Sequence, residues 1–191
     1  MNLDEKINYI ISGLERSGTS MLMQIIDSAE IKTAFDNSRT PDSNNPKGYF
    51  ELEGGKIINK LMKSSFPFDS FKGQFVKITA FGIQFLPPGR YKIIYSERNI
   101  EEILDSMEKM IGKKDLSREE TRESFVKLNS LIKNKMEERE DIDVLYVNYN
   151  NILENPRENL QKIKDFLDLP DDKLEKMVNA VDNRLYRQRR V

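Results

Sequence analysis

The chain has 191 residues, of which 33% are charged, and its formal net charge is −1. This length is enough for one α/β domain with a full hydrophobic core, so the sequence predicts a single domain over residues 1–191. A net charge so close to zero gives no general attraction to nucleic acid or to an anionic membrane surface. We therefore expect neither as a partner, and the sequence leaves the oligomeric state open.

Two residue types that carry much enzyme chemistry are missing from the sequence. The chain has no cysteine and no histidine, which excludes disulfides, thiolate catalysis and imidazole metal ligands. Any proton transfer must then use a carboxylate, a lysine, a tyrosine or water. The first residues show no apolar signal segment, and the sequence lacks a run of about 18 apolar residues, so we expect a cytoplasmic location.

Apolar periodicity and turn residues predict strands that alternate with helices. Asn99 is expected to cap one of these helices, with Glu102 as its partner in a capping box. The alternation predicts a doubly wound parallel sheet in a three-layer sandwich, whose ligands bind at the carboxyl ends of the strands. In chain order the predicted elements are a strand at 7–12, a helix at 18–29, a long polar loop at 36–49, a helix at 54–65, strands at 74–79 and 91–95, helices from Asn99 and at 117–139, a strand at 143–148, a helix from Pro156 and a helix at 171–181.

A glycine-bounded turn joins the first predicted strand to the first predicted helix. Its glycines, Gly13 and Gly18, have the spacing of a nucleotide P-loop, but Thr19 stands where such a loop has its lysine. The cation lies inside the loop instead, as Arg16. A turn of this kind aims backbone N–H groups and the positive end of a helix dipole at one point, which attracts phosphate or sulfate. Further donors are the hydroxyls of Ser17, Thr19 and Ser20.

Two later segments complete an ordered set. Arg98 follows the strand at 91–95, Ser106 lies eight residues further on, and residues 144–156 combine a strand with an Asn-Pro helix start. Together with the loop at 16–20, this set resembles the sulfotransferases that use 3′-phosphoadenosine-5′-phosphosulfate (PAPS) and release 3′-phosphoadenosine-5′-phosphate (PAP). The resemblance covers nearly the whole chain. It implies a P-loop NTPase-like fold and transfer of a sulfuryl group to a hydroxyl or amine of a small-molecule or glycan acceptor.

The resemblance also implies roles for individual residues. Arg98 and Ser106 would bind the 3′-phosphate of the cofactor, and Arg16 would also stabilise the charge of the leaving phosphate. No metal is expected, because a sulfuryl group carries less charge than a phosphoryl group. The 5′-phosphosulfate would be bound by Arg16, Ser17, Gly18, Thr19 and Ser20.

The expected general base is a carboxylate, since the chain has no histidine. Glu51 lies in the segment where several members of the family place a catalytic residue, with Glu53 and Asp42 as alternatives. Lys77 resembles a lysine that assists near the sulfuryl group in heparan-type members, although the proline of their motif is missing here. The loop at 36–49 is expected to form part of the active site, since loops of that length are often functional.

Other interpretations of the same residues stay open. Arg98 would pair only with a nearby glutamate, Glu51 would be an ordinary helix-start carboxylate, and Lys77 would extend to solvent from an edge strand. The basic segment 184–190 is a further candidate for binding the 3′-phosphate. For the whole chain, the alternatives are a phosphotransferase or NTPase with a degenerate Walker motif, which would need Mg²⁺, and a nucleotide-binding module without catalysis.

Overall fold

The computed structural model describes residues 3–182 and Arg184. The remainder of the basic segment, residues 185–190, lies outside the described residues, and so does the prediction that it binds a phosphate. No helix in the described part of the chain has both the length and the apolar character that crossing a bilayer requires.

Five parallel strands form the central sheet, namely β1 (Asn8–Gly13), β2 (Thr33–Ala34), β3 (Phe75–Lys77), β4 (Tyr91–Glu97) and β5 (Ile142–Asn148). Their order across the sheet is β2-β3-β1-β4-β5. The central strand, β1, pairs with β3 on one side and β4 on the other, so that Ile10 lies in register with both Val76 and Ile93. Every residue of β1 is buried, as expected for a parallel strand covered on both faces.

Helices cover both faces of this sheet, which confirms the predicted three-layer arrangement. Helices α1, α7 and α8 pack on one face in a core cluster that includes Ile25, Ile163 and Met177. The other face packs against α2, α3, α4 and α5. The helices are α1 (Thr19–Ser28), α2 (Ile58–Met62), α3 (Ala80–Ile83), α4 (Ile100–Ile111), α5 (Arg118–Glu137), α6 (Tyr149–Glu154), α7 (Pro156–Phe166) and α8 (Asp171–Ala180).

The predicted helix at 54–65 is wrong in its extent. Glu53, Gly54 and Gly55 have φ angles of 52°, 60° and 83°, so the chain makes a left-handed turn at Glu53–Gly55 before the short helix α2. Three elements were not predicted at all: β2, α3 and α6, of two, four and six residues. Segments as short as these show no readable periodicity.

The predicted cap of α4 is confirmed. The side-chain oxygen of Asn99 accepts a hydrogen bond of 2.8 Å from the backbone N–H of Glu101. The carboxylate of Glu102 has a different role from the predicted capping box, because it accepts a hydrogen bond from the side chain of Arg98. This contact lies at the carboxyl edge of the sheet, where the segments that follow β1, β3, β4 and β5 converge.

Candidate active site

A cavity of about 670 Å³ opens at this carboxyl edge. The loop after β1, the segment at 44–55, the residues after β3 and one face of α4 contribute to its walls. The structure thus brings together most of the residues that the sequence singled out. Those that line the cavity are Arg16, Gly18, Thr19, Ser20, Glu51, Lys77, Arg98 and Ser106.

The loop after β1 depends on its two glycines. Gly13 has a φ of 146°, and a Cβ atom there would lie 2.5 Å from the carbonyl oxygen of Ser96. Gly18 has a φ of 106°, and a Cβ atom there would overlap the ring of Tyr149. Only glycine combines these backbone angles with such close approach. The loop is therefore held tightly against β4 and the start of α6.

The start of α1 faces the cavity without a side-chain cap. Its N-cap residue is Gly18, which has no side chain, and the first N–H groups of an α-helix have no partners within the helix. Together with the positive end of the helix dipole, these groups form an anion site. Ser17 lies beneath this surface: its hydroxyl is buried and has no hydrogen-bond partner among the described residues. Its carbonyl accepts a hydrogen bond of 2.7 Å from Ser96 Oγ.

The side chain of Arg16 crosses from the loop to α4. Its Nε donates a hydrogen bond of 2.9 Å to Ser106 Oγ, and its Nη2 donates one of 3.5 Å to the carbonyl of Asn44. Burial, reinforced by the neighbouring cations Arg98 and Arg39, lowers the pKa of Arg16 below its usual range. Arg16, which is expected at the 5′-phosphosulfate, is therefore in direct contact with Ser106, which is expected at the 3′-phosphate.

Lys77 is buried at the end of β3, with 5% of its side chain exposed. Its Nζ donates to Ser20 Oγ at 3.0 Å and to the carbonyl of Tyr49 at 2.6 Å, and it pairs with Glu51 Oε1 at 2.9 Å. Burial lowers the pKa of Lys77, while the charge of Glu51 opposes this shift. The interpretation of Lys77 as an exposed edge-strand lysine is wrong, because β3 lies between β2 and β1.

Glu51 lies between two cations. Its Oε1 pairs with Lys77, and its Oε2 pairs with Arg39 at 3.3 Å. Arg39 also lies over the ring of Tyr49, at 3.4 Å from the ring centroid. Both oxygens of the carboxylate are therefore engaged by cations, and an acceptor must displace one of these contacts to reach Glu51.

The two alternative carboxylates lie outside the residues that line the cavity. Glu53 pairs with Lys60 on the outside of the segment. Asp42 accepts hydrogen bonds from the hydroxyl of Tyr49 at 2.8 Å and from the backbone of Asn44 and Asn45 at 2.8 and 2.9 Å. Of the three candidate bases, Glu51 alone has access to the cavity.

Arg98 combines the predicted position with the alternative partner. It lines the cavity, but its Nε also donates to Glu102 Oε2 at 2.9 Å, and its Nη1 donates to the carbonyl of Arg16 at 3.1 Å. The guanidinium lies over the ring of Tyr149, at 4.4 Å from the centroid. Arg98 is therefore fixed in orientation at the cavity wall.

Several cavity residues were missed by the sequence analysis. Lys109 could have been found, because it follows Ser106 by three positions and so shares its helix face. Ile58, Met62 and Phe81 form an apolar group in the wall, in which Met62 is 55% and Phe81 43% exposed. Phe81 gave no signal, since α3 is only four residues long.

Charge in the cavity wall is mostly positive. The lining contains the cations Arg16, Arg39, Lys47, Lys77, Arg98 and Lys109, against the anions Glu15, Glu51 and Asp182. This excess suits a ligand with several negative charges. Within the described residues, no group of three or more acidic side chains is placed to hold a metal ion.

Comparison with solved structures finds the same fold in several proteins, among them the following three. A crystal structure of retinol dehydratase with androsterone and the inactive cofactor PAP is 19% identical, with a TM-score of 0.54 over 94% of this chain and 65% of that one. The sulfotransferase domain of the Synechococcus PCC 7002 olefin synthase is 17% identical, with a TM-score of 0.58 over 92% and 77%. Mouse sulfotransferase SULT7A1 with PAP is 18% identical, with a TM-score of 0.51 over 94% and 65%.

The chain thus spans just under two thirds of the length of two of these proteins. No sequence among the curated proteins matches it significantly. The sulfotransferase domain family, by contrast, matches residues 6–190, which is nearly the whole chain. The protein therefore belongs to the sulfotransferase domain family.

Proposed function

We propose that this protein transfers a sulfuryl group from PAPS to a hydroxyl or amine of an acceptor. The observation that carries the proposal is the cation-lined cavity, which joins the uncapped start of α1 to Arg98 and Ser106. PAPS is an elongated anion with phosphate groups at two positions, and its activated sulfuryl group is the group transferred. The PAP complexes of the structural relatives support the same ligand.

The N–H groups and side chains of the cavity supply the hydrogen-bond donors and positive charge that PAPS requires. The N–H groups at the start of α1, with Thr19 and Ser20, would hold the 5′-phosphosulfate. Arg98 and Ser106 would hold the 3′-phosphate. Arg16, which contacts Ser106 at 2.9 Å, lies between these two groups and would stabilise the charge that develops on the leaving phosphate.

Glu51 is the proposed general base, because it is the one candidate carboxylate that lines the cavity. It would take the proton of the acceptor hydroxyl or amine as the bond to sulfur forms. Lys77, which pairs with Glu51 at 2.9 Å, would hold the carboxylate in place and add positive charge near the reacting group.

The acceptor is proposed to be a small molecule with an apolar body. Its site would lie against Ile58, Met62 and Phe81, whose exposure leaves apolar surface inside the cavity wall. The loop at 36–49 would form the opposite wall. The androsterone and retinol complexes of retinol dehydratase support acceptors of this kind. A glycan acceptor, a cytoplasmic location and a single domain over residues 1–191 stay predictions from the sequence.

A nucleotide-binding module without transfer is the second candidate. The observation that favours it is that Lys77 and Arg39 engage both oxygens of Glu51, so an acceptor would have to displace one of these cations to reach the carboxylate. Such a module would bind PAP and leave PAPS intact.

Titration calorimetry of PAP in EDTA, beside ATP with Mg²⁺, tests the proposed donor. We expect PAP to bind without metal, and Arg16→Ala to weaken binding roughly tenfold or more, the value of a charge-assisted hydrogen bond. Arg157→Ala is the matched control, because Arg157 pairs with Glu175 on the surface between α7 and α8. Mg²⁺-dependent binding of ATP without binding of PAP would overturn the proposal in favour of an NTPase.

A further inference from the structure

Glu102 is a buried carboxylate that contacts Arg98 from below the cavity wall. It lies on α4 with 1% of its side chain exposed. Its Oε2 accepts from Arg98 Nε at 2.9 Å, and its Oε1 accepts a hydrogen bond of 3.2 Å from Asn150 Nδ2 on α6. A buried carboxylate destabilises a fold unless it is paired, so these contacts are required partners of Glu102.

Hydrogen bonds at Nε and Nη1, together with the ring of Tyr149 against its face at 4.4 Å, orient the Arg98 guanidinium. Glu102 holds Nε, and the carbonyl of Arg16 holds Nη1 at 3.1 Å. Because a guanidinium is planar and presents its donors in a rigid fork, each of these hydrogen bonds constrains its orientation. Only 7% of the Arg98 side chain is exposed, yet it reaches the cavity. The direction in which Arg98 faces the cavity therefore depends on Glu102.

We propose that Glu102 is a positioning residue for the 3′-phosphate: it holds Arg98 in its binding orientation, and Asn150 holds Glu102. This inference rests on the proposed function, since it takes the ligand at Arg98 to be the 3′-phosphate. An arginine that is already immobilised loses less conformational freedom when the ligand binds, and this raises its affinity. The hydrogen bond between Asn150 and Glu102 also joins the start of α6 to α4. The helices that follow β4 and β5 therefore both contribute to one phosphate site.

Two ligands that differ only in the 3′-phosphate isolate this effect. The ratio of the dissociation constants of adenosine 5′-monophosphate (AMP) and PAP, measured by titration calorimetry, reports what the 3′-phosphate adds. In Glu102→Gln, the introduced amide is uncharged, so Arg98 Nε loses its charge-assisted hydrogen bond even when the Asn150 amide turns to accept from the new N–H. We expect the ratio to fall roughly tenfold, the value of one charge-assisted hydrogen bond, while the affinity for AMP is unchanged.

A double variant restores the contact with its polarity reversed. In Glu102→Gln with Asn150→Asp, the introduced amide accepts from Arg98 and donates to the introduced carboxylate. We expect the ratio to return close to that of the wild type. Glu101→Gln is the matched control, because Glu101 is the neighbouring residue but pairs with Arg118 and Arg122, so its ratio should equal that of the wild type.

The outcomes separate this inference from the proposed function. If the wild type does not prefer PAP to AMP, both are overturned. If the wild type prefers PAP but folded Glu102→Gln keeps the same ratio or raises it, Glu102 does not position Arg98 and this inference alone is overturned. If the single variant does not fold, the double variant decides. A folded double variant that no longer prefers PAP to AMP overturns the inference, and one with the wild-type preference supports it.

Discussion

At the scale of single residues, the site depends most directly on Gly18. A Cβ atom at this position would overlap the ring of Tyr149, and the φ of 106° is unfavourable for any other residue. The spacing of Gly13 and Gly18 made this loop readable from the sequence. The overlap with Tyr149 was not readable, because it joins residues 131 positions apart in the chain.

We expect Gly18→Ala to destabilise the protein by about 2 kcal/mol or more, because overpacking of the Tyr149 ring adds to backbone strain. Gly112→Ala is the matched control: its φ of 72° is also left-handed, but a Cβ atom there meets open space among the described residues. Gly112→Ala should destabilise the protein by about 1 kcal/mol, which is the cost of the backbone strain alone. Urea denaturation of both variants measures the difference. Equal losses would contradict the packing of Tyr149 on the loop.

Tyr91 gives a second prediction at this scale, for alkaline pH. Burial raises the pKa of Tyr91 to about 12, and its hydroxyl donates to the carbonyl of Pro87 at 3.0 Å. Because the pKa is higher in the folded state, the neutral tyrosine stabilises the fold at any pH below its ordinary pKa of about 10. This stabilisation is lost as the pH rises from about 10 towards 12.

Tyr91→Phe should therefore cost about 1 kcal/mol near pH 8, where the hydrogen bond is lost. Near pH 11 the wild type itself loses about 1.4 kcal/mol through ionisation of the unfolded tyrosine, so the two proteins should be nearly equal in stability. The free energy of unfolding in urea at both pH values measures this. A control with no titratable group, Ile93→Val on the same strand, should show a constant difference. A constant difference for Tyr91→Phe as well would contradict the prediction.

At the scale of elements, Asp42 makes several of the hydrogen bonds within the segment at 36–49. Asp42 accepts hydrogen bonds from the hydroxyl of Tyr49 and from two backbone N–H groups. The hydrogen bond from Tyr49 lowers the pKa of Asp42, so these contacts persist until the pH falls below the ordinary range for an aspartate. The loop is thus held in part by hydrogen bonds among its own residues.

Asp42→Ala should loosen this loop without unfolding the protein, because the contacts that are lost are local to the segment. We expect amide hydrogen exchange in residues 36–49 to become several-fold faster, while the sheet exchanges as in the wild type. Asp143→Ala serves as the control, since Asp143 is an exposed residue of β5. Unchanged exchange at 36–49 would show that the loop is held by other contacts.

Elements with strong periodicity were predicted well, and short ones were not. The strands β1 and β4 and the helices α1, α5 and α7 appear close to their predicted ranges, because a buried run or an apolar stripe defines each of them. The helix expected at 54–65 failed at Gly54 and Gly55, whose left-handed angles interrupt it. Phe81 was missed together with α3, so the apolar wall of the cavity was not predicted.

At the scale of the whole molecule, the sheet order places the functional segments. With β1 between β3 and β4, the loop holding Arg16, the end of β3 at Lys77 and the end of β4 at Arg98 meet at one edge. Alternation of strands and helices was sufficient to predict this convergence. The direct contacts, such as those of Arg16 with Ser106 and Glu51 with Lys77, depend on side-chain packing that no sequence spacing encodes.

The central claim is sulfuryl transfer from PAPS, and the most direct measurement follows the label of ³⁵S-PAPS in EDTA with phenols, alcohols and amino sugars as acceptors. The account predicts that label moves to an acceptor, that one PAP forms for each product, and that Glu51→Gln slows the transfer roughly a hundredfold or more. If PAP binds but the label stays on PAPS with every acceptor class, the claim is contradicted and the protein is a nucleotide-binding module without transfer.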